Sequence, residues 1–155
     1  MSTTLRPAVP SDAPTLSAIA ISAKSHWGYD QAFIEACRQD LTISSDEVSN
    51  GTYIVAEQDG EIAGFYQVHG TPPAGILGHM WVTPSRIGRG TGRVLWADVL
   101  KTAQRNGFEH IEIDADPHAE GFYVKMGARK IGEVESSVIP GRMLPLMRVD
   151  VAPKQ

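Results

Sequence analysis

The chain has 155 residues, 42% of them hydrophobic, which fits one domain with a buried core and leaves little room for a second. Its 14 basic and 18 acidic residues give a formal net charge of −4, which argues against a nucleic-acid partner, because such binding usually requires a surplus of positive charge. No apolar run approaches the ~20 residues of a membrane span, and the first residues, MSTTLRPAVP, lack the features of a signal peptide. We therefore expect a single domain over residues 1–155, a cytoplasmic location and no membrane partner.

The first third of the chain predicts one strand and two helices. TTLRPAV indicates a short strand, after which Ser11 is expected to cap a helix. The apolar stripe of that helix is Leu16, Ile19, Ala20 and Ala23. The pattern fades at SHWGYD, and a second helix is predicted through Phe33, Ile34 and Leu41. Cys37, the only cysteine, lies in this second helix, where its spacing favours a small buried hydrophobe over a nucleophile.

The middle of the chain predicts a hairpin, a strand and a long helix. GTYIVAEQDGEIAGFYQVHG alternates as two strands that meet at Asp59-Gly60, a dipeptide typical of tight β-turns. ILGHMWVT indicates the next strand. After a glycine-rich segment, apolar residues recur at helical spacing until Asn106-Gly107, which is a helix stop signal.

The last third predicts a strand, a short helix and two further strands. EHIEIDA alternates as a strand, and Asp116 followed by Pro117 is typical of a helix N-cap and first turn, with Gly127 at the other end. ARKIGEVE and LPLMRVDV indicate the final strands. This order of elements predicts an α/β fold with a mixed central sheet flanked by helices on both faces.

The segment RIGRGTG, Arg86–Gly92, has three glycines and two arginines directly before the long predicted helix. The first turn of a helix has unbonded N–H groups and a partial positive charge, so a phosphate ligand fits this position. A dinucleotide-binding fingerprint would need glycine where Arg93 stands, and a P-loop would need Lys and Ser or Thr after its last glycine. A flexible strand-to-helix turn without a ligand is the alternative interpretation.

Two signatures resemble those of one enzyme superfamily. HMWVTPSRIGRGTGRVLW resembles the acyl-CoA pyrophosphate loop of the GNAT superfamily of N-acetyltransferases, in which an apolar strand ending in Val-x-Pro leads to a glycine-rich loop and a helix. DPHAEGFYVKMGA resembles its second signature, Asn-Ala-x-x-Phe-Tyr followed by glycine. The resemblance covers roughly residues 5–150 and is strongest from 77 to 128. It implies a GNAT-like fold, acetyl-CoA as co-substrate and no metal ion.

The resemblance also implies which residues bind the co-substrate. They are Met80, Trp81, Val82, Gly88, Arg89, Gly90, Thr91, Gly92, Arg93 and His118. Three departures from the superfamily pattern matter. Ile87 stands where Gln or Arg is frequent, so side-chain contacts would come from Arg86, Arg89 or Arg93. His118 replaces an Asn that commonly contacts the pantetheine arm, and Ala128 replaces an aromatic residue.

The implied reaction is direct attack of an acceptor amine on the thioester in a ternary complex, because the chain has no credible nucleophile for an acyl-enzyme. The resemblance implies that Tyr123 protonates the departing sulfur, with a purely structural core tyrosine as the alternative. His110, Glu112 and Asp114 share one face of a strand predicted to be central. A water-lined cleft on that face would make Glu112 the base, whereas a splayed, exposed strand end is the alternative. His79 is the second candidate base, and the alternative is that this histidine has only a structural role.

Acceptor recognition is assigned to two loops outside the signatures. SHWGYD offers His26, Trp27 and Tyr29 as an aromatic wall for a small-molecule or peptide amine, although these rings can equally fill the core at a helix end. Arg142, beside the Pro140-Gly141 turn, is a candidate for binding a substrate carboxylate. Two other functions stay open: a non-catalytic acyl-CoA sensor, and an interaction module that forms a homodimer through its last strands.

Overall fold

The computed structural model describes residues 2–153. Within this range the strands are β1 (Thr4–Pro7), β2 (Tyr53–Gln58), β3 (Glu61–Thr71), β4 (Ala74–Val82), β5 (His110–Asp114), β6 (Arg129–Glu135) and β7 (Met143–Asp150). The α-helices are α1 (Ala13–His26), α2 (Gln31–Leu41), α3 (Ser45–Val48), α4 (Thr91–Arg105) and α5 (Glu120–Lys125).

The strands form one seven-stranded sheet in the order β1-β2-β3-β4-β5-β7-β6. β4 and β5 pair in parallel, whereas β1 with β2, β2 with β3, β5 with β7 and β7 with β6 pair antiparallel. A strand-helix-strand crossover through α4 accounts for the parallel pair, since parallel neighbours need a long connection. The predicted α/β fold with a mixed sheet and flanking helices is confirmed.

The chain divides into two compact units. The first contains the described residues up to Gln67 together with His79–Leu95, and the second contains Val68–Gly78 together with the described residues from Trp96 onward. The single domain expected from chain length stays a prediction. None of the helices described between residues 2 and 153 is long and apolar enough to cross a membrane.

The first helix begins differently from the prediction. The predicted apolar stripe of α1 is buried, but α1 begins at Ala13 and Ser11 does not cap it. Ser11 instead lies in a 3₁₀ turn, because the Asp12 carboxylate accepts the backbone N–H of Val9 at 2.8 Å and binds the Arg6 guanidinium at 2.9 Å. This local carboxylate network folds the residues before α1 into a tight turn.

The β2–β3 hairpin agrees with the prediction. Asp59 and Gly60 have φ values of 54° and 78°, the left-handed pair that a type I′ turn requires. The short helix α3 was not predicted, although the sequence holds its signal. The Ser44 hydroxyl accepts the N–H of Glu47 at 3.1 Å, and the Glu47 carboxylate accepts the N–H of Ser44 at 3.1 Å, which is a capping box.

The second unit follows the predicted elements closely. Gly107 and Gly127 have φ values of 80° and 106° and end α4 and the short helix α5, as expected. The Asp116 carboxylate accepts the N–H of His118 at 2.8 Å and so caps the turn that leads into α5. Strand β7 lies between β5 and β6, so the last strand of the chain is internal to the sheet.

Candidate active site

The glycine-rich loop before α4 presents open backbone. Gly88 and Gly90 both have φ of 84°, and a Cβ built at either position would meet no heavy atom within 4 Å. The first hydrogen bond of α4 runs from the N–H of Val94 to the carbonyl of Gly90 at 3.1 Å. The N–H groups of Thr91, Gly92 and Arg93 therefore have no acceptor inside the helix. They lie at the positive end of a 15-residue helix, a site suited to an anion.

The three arginines of this segment differ in their partners. The Arg86 side chain is 12% exposed, and its guanidinium contacts the Gln58 amide oxygen at 3.2 Å and the carboxylates of Asp59 and Glu61 at 3.6 and 3.4 Å. Arg89 and Arg93 are exposed and form no ion pair with any residue between 2 and 153. The uncompensated positive charge of the loop therefore belongs to Arg89 and Arg93, whereas Arg86 is bound to the β2–β3 hairpin.

The strand that leads into the loop is half-buried. Met80, Trp81 and Val82 are its last residues, and they keep part of their surface exposed. The indole N–H of Trp81 donates to Nδ1 of His79 at 3.1 Å. The His79 ring also lies 6.0 Å from the Tyr53 ring, between centroids. These contacts fit the structural alternative for His79, and its role as a second candidate base stays a prediction.

Tyr123 is buried in the second unit. It is 7% exposed, and its ring centroid lies 5.7 Å from that of Trp96 and 5.5 Å from that of Phe122. Burial raises the pKa of the Tyr123 hydroxyl well above its ordinary value, and the negative charge of Asp116 raises it further. The hydroxyl therefore keeps its proton at neutral pH, as a general acid must.

Asp116 organises the polar groups around the start of α5. Its carboxylate, 8% exposed, lies 3.1 Å from Nδ1 of His118 and 3.6 Å from Nη2 of Arg142. His118 itself is 43% exposed, so Asp116 orients an imidazole at the surface. The sequence identified Asp116 only as a helix cap. Its ion pair with Arg142 joins two residues that are 26 positions apart and was not predicted.

On the polar face of β5, His110 contacts both Glu112 and Arg148. The predicted alternation is confirmed, since Ile111 and Ile113 are buried. His110 Nε2 lies 3.5 Å from a Glu112 carboxylate oxygen, and Arg148 Nη2 lies 3.1 Å from His110 Nδ1. Because arginine only donates, His110 Nδ1 is the acceptor side of the contact with Arg148. Neither here nor elsewhere between residues 2 and 153 do three His, Cys, Asp or Glu side chains group as metal ligands would.

The aromatic residues between α1 and α2 separate into an exposed ring and a packed cluster. Trp27 is 39% exposed, with its ring centroid 5.7 Å from that of His26. Tyr29 stacks on Phe33 at 4.1 Å between centroids. The Lys24 ammonium lies 5.3 and 5.6 Å from the Tyr29 and Phe33 centroids, within the range of cation–π attraction. Of the two predicted acceptor residues here, Trp27 is exposed, whereas Tyr29 is half-buried and stacked on Phe33.

Comparisons with known proteins identify the family. Residues 13–138 match the family described as acetyltransferase (GNAT) domain, whereas no curated protein matches the sequence. The PaiA N-acetyltransferase of Thermoplasma acidophilum, solved with coenzyme A, is 17% identical with a TM-score of 0.78 over 97% of this chain and 99% of that chain. A GCN5-related N-acetyltransferase from Rhodopseudomonas palustris is 22% identical with a TM-score of 0.81 over 97% of each chain. The ribosomal-protein-S18-alanine N-acetyltransferase of Escherichia coli is 15% identical with a TM-score of 0.72 over 99% and 97%. The chain therefore belongs to the GNAT acetyltransferase family.

Proposed function

We propose that this protein transfers an acetyl group from acetyl-CoA to the nitrogen of an acceptor amine. The observation that carries the proposal is the open loop at the N-terminus of α4, where the N–H groups of Thr91–Arg93 have no acceptor inside the helix and Arg89 and Arg93 are exposed. A diphosphate belongs to the class of anions that such a helix terminus binds. The likeness to a relative solved with coenzyme A supports the same ligand here.

Co-substrate binding is assigned mainly to backbone groups. The N–H groups from Gly88 to Arg93 would hold the pyrophosphate, because glycine at the left-handed positions lets an anion approach the chain closely. Arg89 and Arg93 add positive charge beside it. The strand residues Met80–Val82 are assigned to the pantetheine arm, and His118, exposed and oriented by Asp116, is the further side chain proposed to contact it.

The chemistry needs an acid and a base. The acceptor nitrogen attacks the thioester carbonyl, the carbon–sulfur bond breaks, and the sulfur must gain a proton while the nitrogen loses one. Tyr123 is proposed as the acid, since its raised pKa keeps the hydroxyl protonated. Glu112 is proposed as the base, and His110 Nε2 lies 3.5 Å from its carboxylate. Direct attack is favoured because Cys37, the only cysteine, is 7% exposed.

Acceptor binding is assigned to Trp27, Tyr29 and Arg142. The exposed Trp27 ring can cover the apolar part of an amine, and Tyr29 presents an aromatic ring already ordered by Phe33. The Arg142 guanidinium, which lies 3.6 Å from Asp116 through Nη2, is proposed to bind an acceptor carboxylate, because arginine binds carboxylates through paired N–H donors. The acceptor class is a small-molecule or peptide amine. The cytoplasmic location and the homodimer stay predictions.

Thiol release from acetyl-CoA across a panel of amines tests the proposal. The panel contains free amino acids, polyamines, peptides with a free N-terminus and peptides with an internal lysine. We expect thiol release that depends on one acceptor class. Calorimetric binding of CoA without thiol release from any amine would favour an acyl-CoA sensor. A folded protein that binds neither CoA nor acetyl-CoA would contradict both functions.

A further inference from the structure

One buried amide lies beneath the glycine-rich loop. Gln58 ends strand β2 and is 3% exposed. One Nε2 hydrogen bond reaches the Thr3 hydroxyl at 2.8 Å, and another reaches the Thr91 hydroxyl at 3.1 Å. Its Oε1 accepts from Arg86 at 3.2 Å. Both N–H donors and the carbonyl of this side chain are therefore in use, which makes the amide a fixed connection between three separate segments.

Two of these partners flank the loop. Arg86 is the last residue of the turn before the glycines, and Thr91 is the first residue of α4 after them. Gly88 and Gly90, which lie between, have no side chain, and a Cβ built at either position would meet no heavy atom within 4 Å. The distance between the two ends of the loop depends on Arg86 and Thr91, and the Gln58 side-chain amide contacts both residues.

The burial of these groups decides which contact matters most. Asp59 and Glu61 also contact Arg86, but their side chains are 62% and 77% exposed, and exposed ion pairs add little stability. Thr91 is 1% exposed, so loss of its hydrogen bond to Gln58 would leave a buried hydroxyl without this partner. Gln58 is the buried side chain that connects the two loop ends, whereas Asp59 and Glu61 form weaker, exposed ion pairs with Arg86.

We propose that Gln58 is a positioning residue that holds the glycine loop in the shape that receives the CoA pyrophosphate. This inference rests on the proposed function of the loop. A loop whose ends are already fixed loses less conformational entropy on binding, so the same contacts give a higher affinity. Gln58 acts through Arg86 and Thr91 and touches no ligand itself.

Replacement of Gln58 by methionine tests the proposal, because methionine keeps the length and removes all three hydrogen bonds. Gln67→Met is the matched control: Gln67 also donates to a threonine hydroxyl, that of Thr52 at 3.3 Å, from strand β3. We expect Q58M to weaken calorimetric CoA binding about tenfold, whereas Q67M binds as the wild type does.

Amide hydrogen exchange without ligand supplies the second measurement. The N–H of Arg86 donates to Thr83 at 2.8 Å and the N–H of Val94 to Gly90 at 3.1 Å, so these amides report on the two ends of the loop. Both should exchange faster in Q58M and not in Q67M. Unchanged exchange and unchanged CoA affinity in folded Q58M would overturn the proposal.

Two Thr91 variants decide the question if Q58M does not fold. Thr91→Val removes the hydroxyl at constant shape, and Thr91→Ser keeps it. We expect T91V to bind CoA more weakly than T91S, and equal affinities would contradict a role for the hydrogen bond to Gln58. If the wild type itself binds no CoA, the proposed function fails, and the exchange of Arg86 and Val94 alone then decides whether Gln58 orders the loop.

Discussion

The glycine loop and the start of α5 solve opposite physical problems. The loop before α4 exposes backbone N–H groups, left-handed glycines and the charges of Arg89 and Arg93. At the start of α5, Asp116 is 8% exposed and bound to Arg142 and His118, and Tyr123 is buried. The loop before α4 therefore leaves its N–H donors accessible to a ligand. At the start of α5, by contrast, the charge of Asp116 is paired and the Tyr123 side chain is buried.

The difference follows from what each region must do in the proposed reaction. A site for a diphosphate gains from open N–H groups and exposed counter-charges, because the anion arrives with its own charge and leaves again. A proton donor gains from burial, because desolvation keeps its proton in place until the sulfur needs it. The substitutions predicted below disrupt one region at a time.

The largest effect is expected for the buried region. Tyr123→Phe keeps the ring and removes the proton, so kcat should fall by roughly 10² to 10⁴, the usual contribution of a positioned acid, with CoA affinity unchanged. The high-pH limb of the rate profile, expected above the ordinary tyrosine pKa of about 10, should disappear. Tyr53→Phe is the matched control, since burial also raises the pKa of Tyr53, to about 12, outside both signatures. Wild-type turnover by Y123F would return Tyr123 to a structural role.

The open region should respond in affinity and not in rate. Gly90→Val forces a β-branched residue into a φ of 84° and fills space where no protein atom lies, so CoA binding should weaken at least about tenfold. Gly51→Val is the control, because Gly51 has φ of 79° and equally open surroundings. Calorimetry and thermal unfolding separate the two variants: both lose similar stability, and only G90V loses affinity. Equal CoA affinity in G90V and G51V argues against the loop as the pyrophosphate site.

A third test extends the comparison to the exposed ring between α1 and α2. Trp27→Ala should raise the acceptor KM several-fold and leave acetyl-CoA affinity unchanged, if the ring contributes binding energy to the acceptor alone. Val9→Ala is the control for loss of exposed apolar surface, since Val9 is 48% exposed. Steady-state kinetics with the acceptor found in the panel give the answer, and an unchanged KM in folded W27A excludes Trp27 from the acceptor site.

The smallest effect concerns stability at alkaline pH. A tyrosine whose pKa is raised by folding keeps its proton to a higher pH in the folded state than in the unfolded state. The free energy of unfolding should therefore fall above pH 10, by up to about 1.4 kcal/mol per pH unit for each such tyrosine, until the folded pKa is passed. Urea unfolding between pH 9 and 11 should show a shallower fall in Tyr53→Phe and in Tyr123→Phe than in the wild type. An identical slope in all three proteins would contradict the buried, protonated state of both hydroxyls.

Much of the fold could be predicted because its signals are local. Asp59-Gly60 has the backbone freedom that a tight hairpin needs, and Asp116-Pro117 has the chemistry of a helix start. The predicted Ser11 cap was wrong because Asp12, one residue later, accepts the N–H of Val9 and binds Arg6. Only the folded chain brings the Arg6 guanidinium to this carboxylate. Val9 and Arg6 are only three and six residues from Asp12, so a cap prediction can fail when a second carboxylate or hydroxyl nearby competes for the same turn.

The sequence by itself determined the glycine loop, the alternation of β5, the motif around Tyr123 and the family resemblance, because each depends on residues that are close together in the chain. Only the tertiary structure decided the charge partners. Arg86 donates to Gln58 of the β2–β3 hairpin, Arg142 forms an ion pair with Asp116, and Arg148 contacts His110 on the polar face of β5. Hydrogen bonds and ion pairs act over about 3 Å in space whatever the separation along the chain. Periodicity therefore predicts which face a side chain occupies, and it cannot predict which distant group meets it there.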